Sequence, residues 1–251
     1  MSNYYNPNRT KNLYNPASKD LFRLSRSKID LFLNCPRCFY LDRKLGVAQP
    51  PGYPFSLNSA VDALLKKEFD IYRAKAASHP LMEEFGIDAV PLTHEKIDEW
   101  RDSLRAGITF AIGGTNVVVT GGVDDVWVNP KGELLIVDYK STSKETEVTL
   151  DDEWKIGYKR QMEIYQWLFR KNGFKVSNTG YFVYCNGNAQ KDSFDKKLEF
   201  DISILPYKGD DSWVEKTILD AIECLKSDKL PEPGEDCDFC KYREATRAFE
   251  K

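Results

Sequence analysis

The sequence lacks the features that mark several common protein classes. Only two histidines, His79 and His94, occur among its 251 residues, and neither has a motif around it. This scarcity argues against a nucleophile activated by histidine. No apolar run approaches the length of a membrane span. No helicase or nucleotide-binding motif is found either. We therefore expect a protein that makes no membrane contact and has no ATP-driven motor of its own.

The chain also lacks a strong charge of either sign. Its formal net charge is −3 at pH 7, from 36 basic and 39 acidic residues. This balance argues against a nonspecific coat on nucleic acid, but it permits an enzyme with a local basic groove. Hydrophobic residues make up 41% and charged residues 30%, as in soluble globular proteins. No signal peptide is recognised, so we expect a cytoplasmic protein.

Length and local composition predict the domain organisation. Residues 1–20 are polar and contain Asn, Tyr and Pro, which predicts a disordered N-terminal tail over 1–22. The remainder, 23–251, is long enough to bury the core of one domain without disulfides. The stretch 79–105 has no clear periodicity and is interpreted as a helical insertion. The alternating segments between 107 and 139 predict the strands of one meander.

One strand end carries charges that need an explanation. The apolar run Leu134–Val137 leads directly into Asp138, Tyr139 and Lys140. Residues two apart share a face of a strand, so the carboxylate and the ammonium point the same way. Charges at the end of a buried strand are costly unless they are paired or bind a metal. A D-x-K pattern alone is common, and its usual meaning is a solvated strand end with a chance ion pair.

A second acid strengthens the functional interpretation. Asp124 closes Gly121–Asp124, and the turn Asn129–Gly132 separates it from Asp138, which predicts a hairpin. Two acids and Lys140 would then meet at one end of a sheet. Carboxylate oxygens suit Mg²⁺ or Mn²⁺, and an ammonium can hold or polarise an attacking water. The pattern therefore predicts metal-assisted hydrolysis of a phosphodiester.

These motifs resemble those of the PD-(D/E)xK nuclease superfamily, and specifically its RecB-like branch. Asp124 matches the first acid of the superfamily, while Asp138 and Lys140 match its D-x-K element. Gln161 and Tyr165 match the Q-x-x-x-Y element of the branch and lie one helical turn apart. The fold implied by the resemblance is an α/β restriction-endonuclease-like core, with a mixed central sheet flanked by helices.

The resemblance also implies a role for each matched residue. The implied metal ligands are Asp124, Asp138 and the backbone carbonyl of Tyr139, which would bind Mg²⁺ or Mn²⁺. Lys140 would position or deprotonate the attacking water. The helical pair would orient this lysine or contact the nucleic acid backbone. The implied catalytic residues are Asp124, Asp138, Lys140, Gln161 and Tyr165.

The first core helix departs from the pattern of the branch. Relatives in the RecB-like branch usually have a metal-binding histidine on this helix, and here Asp62 occupies the corresponding position. An acid binds Mg²⁺ at least as readily as imidazole does. Asp62 is therefore a candidate third metal ligand, and the alternative is an ordinary solvated acid on a helix.

Four cysteines form two pairs near the two ends of the chain. Cys35 and Cys38 form the first pair, and Cys237 and Cys240 form the second. Two residues between the cysteines of a pair allow both sulfurs to face one ion. Four thiolates suit tetrahedral zinc or an iron–sulfur cluster. Disulfides are disfavoured in a reducing cytosol, and unrelated buried thiols remain the alternative.

Some relatives guide the choice between these metals. In AddB-type and CRISPR-associated exonucleases, which the chain resembles, one N-terminal and three C-terminal cysteines bind a 4Fe–4S cluster. This chain has two and two, with Thr246 near the position of a third C-terminal cysteine. The resemblance implies a 4Fe–4S cluster, and the departure leaves Zn²⁺ open. Either centre would join the two ends and close a loop of about two hundred residues.

Together these features predict a metal-dependent DNA nuclease acting in DNA repair, recombination or defence. Its substrate would be single- or double-stranded DNA, and a helicase or other DNA-processing protein is a candidate partner. Two alternatives remain. One is a catalytically weak, metal-clamped nucleic-acid-binding module, and the other is an adaptor subunit of a larger DNA-processing complex.

Overall fold

The computed structural model describes residues 9–52, 56–247 and 249–250. Its residues divide into two units. The first takes in Met1–Tyr53, Thr109–Thr120 and Ser212–Lys251, and the second takes in Pro54–Ile108 and Gly121–Asp211. The chain therefore crosses from one unit to the other four times, after residues 53, 108, 120 and 211.

The helices and strands of the described residues are these. The strands are β1 (Phe22–Ser25), β2 (Val90–Pro91), β3 (Ile108–Ala111), β4 (Val117–Gly121), β5 (Asp125–Val128), β6 (Leu134–Thr142), β7 (Thr179–Gly187) and β8 (Phe200–Lys208). The helices are α1 (Arg26–Asn34), α2 (Pro36–Arg43), α3 (Ser56–Ala74), α4 (Pro80–Glu84), α5 (Ile97–Arg101), α6 (Ile156–Lys171), α7 (Val214–Lys226) and α8 (Asp238–Arg247). No helix in this part of the chain is long and apolar enough to span a membrane.

The second unit is built on a mixed five-stranded sheet in the order β2-β5-β6-β7-β8. Strands β6 and β7 are parallel, and the other neighbours are antiparallel. Strand β6 lies at the centre of this order, with β5 on one side and β7 on the other. Its first six residues are buried, as expected of a strand with both faces packed.

Helices cover the two faces of this sheet. Leu135, Val137 and Tyr139 share a core cluster with Leu65 and Phe69 of α3. The alternate residues of β6 face α6 instead, because strand side chains alternate. The prediction of an α/β, restriction-endonuclease-like core with a mixed sheet flanked by helices is confirmed.

The hairpin that carries the predicted site is present. Strands β5 and β6 pair antiparallel, with Asp125 opposite Val137 and Val128 opposite Leu134. Asn129 starts the turn, and its Oδ1 accepts backbone hydrogen bonds from Lys131 and Glu133. This pairing places the start of β5 beside the far end of β6, so Asp124 comes close to Tyr139.

The first unit contains a separate three-stranded sheet in the order β1-β4-β3. Strand β1 pairs parallel with β4, with Phe22 opposite Val117, and α1 packs against α2 and α7. The prediction of one meander between 107 and 139 is therefore wrong. Strands β4 and β5 are consecutive in the chain but belong to different sheets. The alternation of apolar and polar residues continues from β4 into β5, and this alternation does not specify which strand each of them pairs with.

Two further segments show more structure than their sequence suggests. Within the tail predicted to be disordered (1–22), residues 1–8 lie outside the described part. Farther along, the Tyr14 side chain is buried, and its backbone N–H donates to the Arg43 carbonyl at 2.7 Å. The segment 79–105 contains α4, α5 and the edge strand β2. Its short helices flank a strand that extends the sheet of the second unit.

Candidate active site and four-cysteine centre

Residues from four neighbouring elements line a cleft of about 250 Å³ in the second unit. Helix α3 contributes Asp62, the residue before β5 is Asp124, β6 contributes Tyr139 and Lys140, and α6 contributes Tyr158. Polar and charged groups dominate this surface. The structure thus brings to one cleft several residues that the sequence places far apart.

Beneath the cleft, one glutamine joins the acid and the lysine of the D-x-K element. Gln161 Nε2 donates to Asp138 Oδ1 at 2.6 Å, and Lys140 Nζ donates to Gln161 Oε1 at 3.4 Å. Lys140 and Asp138 also form a direct ion pair. Gln161 Nε2 further donates to the Tyr165 hydroxyl at 3.2 Å. The two predicted motifs therefore form one connected hydrogen-bond network.

Lys140 is held as a cation in this network. Burial lowers its pKa, but attraction to Asp138 and Asp124 more than offsets burial, and the resulting pKa lies above the ordinary lysine value. The Tyr158 ring centroid lies 4.4 Å from its Nζ, which adds a cation–π contact. Asp138 itself is fully buried. An acid at such a position requires a cationic partner, because an unpaired buried carboxylate is strongly destabilising.

Asp124 connects β6 to α3 through its two carboxylate oxygens. Its Oδ2 accepts the Tyr139 backbone N–H at 2.9 Å, and its Oδ1 accepts from Lys66 Nζ at 3.3 Å. The same ammonium lies 2.8 Å from Asp62 Oδ2. Burial and the neighbouring Asp124 charge raise the pKa of Asp62. Asp62 therefore faces Asp124 across the Lys66 ammonium.

A buried ionic cluster supports Asp124 from below. The adjacent Asp125 is fully buried and pairs with Arg73 and with Arg101. It also accepts the Tyr139 hydroxyl at 2.8 Å. Arg101 Nε donates to the Asp124 carbonyl at 3.1 Å. This cluster holds the Asp124 backbone and the Tyr139 side chain. Arg101 comes from the segment 79–105, which the sequence analysis interprets as an insertion.

Another polar residue of α6, Glu163, points elsewhere. Glu163 accepts the Tyr207 hydroxyl at 2.6 Å and the Asp210 backbone N–H at 3.2 Å. It therefore binds residues at and just after the end of β8. Residues 161 and 163 point in different directions because successive helical residues are rotated by about 100°.

The four cysteines come together in the first unit. The sulfur of Cys38 lies 3.6 Å from that of Cys237 and 3.7 Å from that of Cys240. The Cys35 and Cys240 sulfurs are 3.7 Å apart. Among the residues described, these four form the one group of three or more potential ligands with all ligand atoms within 4.8 Å of one another. The expected centre joining the N- and C-terminal regions is therefore present as a cluster of thiols.

The environment of Cys35 favours a thiolate. Its sulfur accepts backbone N–H groups from Cys38 at 3.4 Å and from Gly234 at 3.3 Å. Burial raises the pKa of Cys35, but these donors and the neighbouring thiols lower it to about 7. A side chain at position 234 would collide with the Asn34 carbonyl. Glycine there allows the second cysteine loop to approach the first.

Comparison with known proteins gives the family. The sequence profile described as the PD-(D/E)XK nuclease superfamily matches residues 23–245. The chain belongs to the PD-(D/E)XK nuclease superfamily. None of the curated proteins matches it. Among solved structures, it is similar to the crystal structure of SSO0001, with 16% identity and a TM-score of 0.44 over 93% of this chain and 90% of that one.

Membership of the PD-(D/E)XK superfamily indicates a metal-dependent nuclease. The residues present fit a hard divalent cation: Asp62, Asp124 and Asp138 offer only oxygen donors. Two lysines, Lys66 and Lys140, already neutralise part of this negative charge. The buried position of Asp138 is consistent with a carboxylate that faces a permanent cation.

Several residues of this candidate site are not marked by any sequence motif. In the sequence, Arg73 and Arg101 cannot be distinguished from other basic residues, and only the fold shows that both pair with Asp125. For Lys66 the sequence offers a weak indication: it follows Asp62 by four residues, so the two side chains are neighbours on one face of the helix. Tyr158 precedes Gln161 by three residues and could have been placed on the same face of α6 by the same rule. The predicted ligand Tyr139 contributes its N–H and its hydroxyl to the network.

Proposed function

We propose that this chain is an Mg²⁺- or Mn²⁺-dependent deoxyribonuclease of the RecB-like branch. The observation that carries the proposal is the bridge made by Gln161 between Asp138 and Lys140, beside Asp124. A metal-binding protein without catalysis would need the acids alone. The lysine, held in place by a glutamine and by the Tyr158 ring, is the element that hydrolysis needs.

Each residue has a separate task in the proposed reaction. A bound Mg²⁺ or Mn²⁺ supplies Lewis-acid polarisation of the phosphate and lowers the pKa of water. Asp124, Asp138, the Tyr139 carbonyl and Asp62 would hold the ion. Lys140 orients the attacking water with its ammonium and stabilises negative charge that develops on the phosphate oxygens.

Two residues of α6 keep the lysine in place. Gln161 fixes the direction of the Lys140 side chain because its Oε1 accepts a hydrogen bond from the ammonium, while its Nε2 donates to Asp138. The Tyr165 hydroxyl accepts from the same amide group and so limits the rotation of Gln161. Correct positioning of such groups accounts for a large share of the rate enhancement in hydrolytic enzymes.

The test is a cleavage assay on purified protein. Single-stranded DNA, double-stranded DNA and RNA would be incubated with Mg²⁺ or Mn²⁺, with a chelator as the blank. We expect DNA cleavage by wild type and a loss of at least about a hundredfold in Lys140→Met. Lys131→Met, in the exposed turn of the same hairpin, is the matched control and should cleave like wild type. Undiminished cleavage by Lys140→Met would refute the assignment.

The same assay separates the alternatives. A folded protein that binds DNA with metal but leaves it intact would support a nucleic-acid-binding module. Cleavage that appears only after a co-purifying protein is added back would support an adaptor or subunit role. The intact contacts among Asp138, Lys140 and Gln161 favour cleavage by the chain itself. A role in DNA repair, recombination or defence, with a helicase as partner, belongs to the same proposal.

The metal of the four-cysteine centre is also part of the proposal. The relatives favour a 4Fe–4S cluster, whereas three sulfur–sulfur separations of 3.6–3.7 Å, with all four sulfurs within 4.8 Å of one another, favour a single ion. Four sulfurs placed tetrahedrally at about 2.3 Å from zinc are about 3.8 Å apart. A four-iron cluster binds each cysteine to a different iron and needs the sulfurs farther apart. We therefore propose Zn²⁺ here, with 4Fe–4S as the alternative.

A further inference from the structure

Lys66 of α3 lies between two acids of the proposed metal site. Its Nζ is 2.8 Å from Asp62 Oδ2 and 3.3 Å from Asp124 Oδ1. The lysine is largely shielded from solvent, with 21% of its side chain exposed. Its two ion pairs therefore hold it beside the cleft, against two of the acids that line it. No motif of the nuclease assigns a role to this position.

An ammonium and a divalent ion cannot share this gap. Mg²⁺ binds carboxylate oxygens at about 2.0–2.1 Å, so an ion touching both acids would occupy the space between the same two oxygens. Lys66 Nζ is hydrogen-bonded to both oxygens from that space. Two cations so close would also repel each other strongly, because the surroundings are partly buried. The lysine must leave the gap when a metal enters it.

The charge balance of the cleft leads to the same conclusion. Asp62, Asp124 and Asp138 contribute −3, and Lys66 and Lys140 contribute +2, which leaves a net charge of −1. Without Lys66 the same site would carry −2. Removing this one ammonium would both empty the gap and strengthen the attraction for a divalent cation.

We propose that Lys66 is a built-in competitor of the catalytic metal. Its ammonium holds Asp62 and Asp124 together before a metal binds, and the ion must displace it to reach both acids. The lysine thereby sets the metal concentration at which the site fills and prevents the acids from repelling each other below that concentration. This inference rests on the proposed function, in which these acids are metal ligands.

The test is a direct measurement of Mn²⁺ binding without DNA, by isothermal titration calorimetry. The proteins compared are wild type, Lys66→Met and Lys67→Met. We expect Lys66→Met to bind Mn²⁺ about tenfold more tightly, which corresponds to about 1.4 kcal/mol. Lys67 is the next residue on the same helix and is exposed, so Lys67→Met removes an equal charge outside the gap and should match wild type. Equal or weaker binding by Lys66→Met overturns the proposal.

Two further measurements make the result unambiguous. Thermal melting shows whether the variants are folded, and Mn²⁺ should raise the Tm of Lys66→Met more than that of wild type. A smaller or equal rise contradicts the inference. Asp124→Ala should lose Mn²⁺ binding. If it binds like wild type, the acids are not the ligands and the proposed function fails together with the inference. If only the Lys66→Met result is absent, the inference alone fails.

Discussion

At the scale of single residues, one glycine connects two of the nuclease motifs. A Cβ at Gly121 would lie 2.6 Å from Cε1 of the Tyr165 ring, far inside normal contact. Gly121 begins the segment that carries Asp124, and Tyr165 contacts the glutamine that holds Asp138 and Lys140. The Tyr165 ring thus occupies space that is available only because residue 121 has no side chain. This contact links the G-x-x-D segment to the Q-x-x-x-Y segment.

This contact predicts the effect of a single added methyl group. Gly121→Ala should displace Tyr165, destabilise the fold by about 1–3 kcal/mol as other overpacking substitutions do, and lower cleavage through Gln161. The measurements are a thermal melt and the cleavage rate. Gly113→Ala is the matched control, since nothing lies within 4 Å of a Cβ at that position. Equal melting temperatures for the two variants would contradict the steric argument.

At the scale of secondary structure elements, α6 carries contacts of the proposed site on one side and structural contacts on another. Gln161 reaches Asp138 and Lys140, whereas Glu163 binds the Tyr207 hydroxyl and the Asp210 N–H. The helix therefore serves the proposed site with one side and anchors the end of β8 with another. Substitution of Gln161 should therefore affect mainly cleavage, and substitution of Glu163 should affect mainly stability.

The helix register yields the second prediction. Gln161→Ala should lower cleavage roughly tenfold to a hundredfold, because Lys140 loses a positioning contact. Glu163→Ala should lower stability by about 1.5–3 kcal/mol, the usual worth of hydrogen bonds to a charged group, and leave the rate per folded molecule unchanged. Cleavage rates and urea unfolding of both variants give the answer. A larger catalytic loss in Glu163→Ala would show that the register assignment is wrong.

The segment 79–105 provides the third prediction through α5. Arg101 pairs with buried Asp125 and with Asp70, and holds the Asp124 carbonyl. Arg101→Met should lower the Tm by roughly 4–8 °C, as a loss of about 2 kcal/mol does in a chain of this size, and reduce Mn²⁺ affinity. Arg105→Met, at an exposed position of the same segment, should leave the melting curve and Mn²⁺ affinity unchanged. A normal melting curve and normal Mn²⁺ affinity in Arg101→Met would remove the supporting role assigned to α5.

Elements with a local signal could be predicted, and their partners could not. The β5–β6 hairpin follows from its turn and from the alternation around it, and both are local. The pairing of β4 with β1 joins residues nearly a hundred positions apart, and an alternating pattern does not specify a partner. For the same reason the role of Arg101 was missed, because a guanidinium has no periodic signature and its partners lie in other elements.

At the scale of the whole molecule, the four-cysteine centre joins segments from both terminal regions. Cys237→Ser should lose the bound metal and lower the Tm by about 5 °C or more, because metal binding is coupled to folding. Cys224→Ser, a cysteine of α7 outside the cluster, should do neither. Metal analysis of protein purified without oxygen identifies the ion. Colourless protein with zinc supports the proposal, and brown protein with iron supports the 4Fe–4S alternative. Absence of both metals contradicts any metal centre.

The sequence pattern predicted this centre but not the division of the chain around it. Two C-x-x-C pairs are enough to predict a common ion, because four thiols with ligand spacing match the ligand set of a tetrahedral metal site. The assignment of 109–120 to the same unit as the cysteines depends on the pairing of β4 with β1. The sequence alone does not indicate that pairing.

The separation of the two cysteine pairs has a consequence for synthesis. Cys38 and Cys237 are 199 residues apart, and a ribosome adds roughly 5–20 residues per second. The first pair therefore emerges roughly 10–40 seconds before the second, and for that time Cys35 and Cys38 have only half of their ligand set. The second unit, which holds the proposed nuclease site, ends at Asp211. All of its residues leave the ribosome before Cys237 and Cys240, so the nascent chain has every residue of the proposed nuclease site before the four thiols can come together.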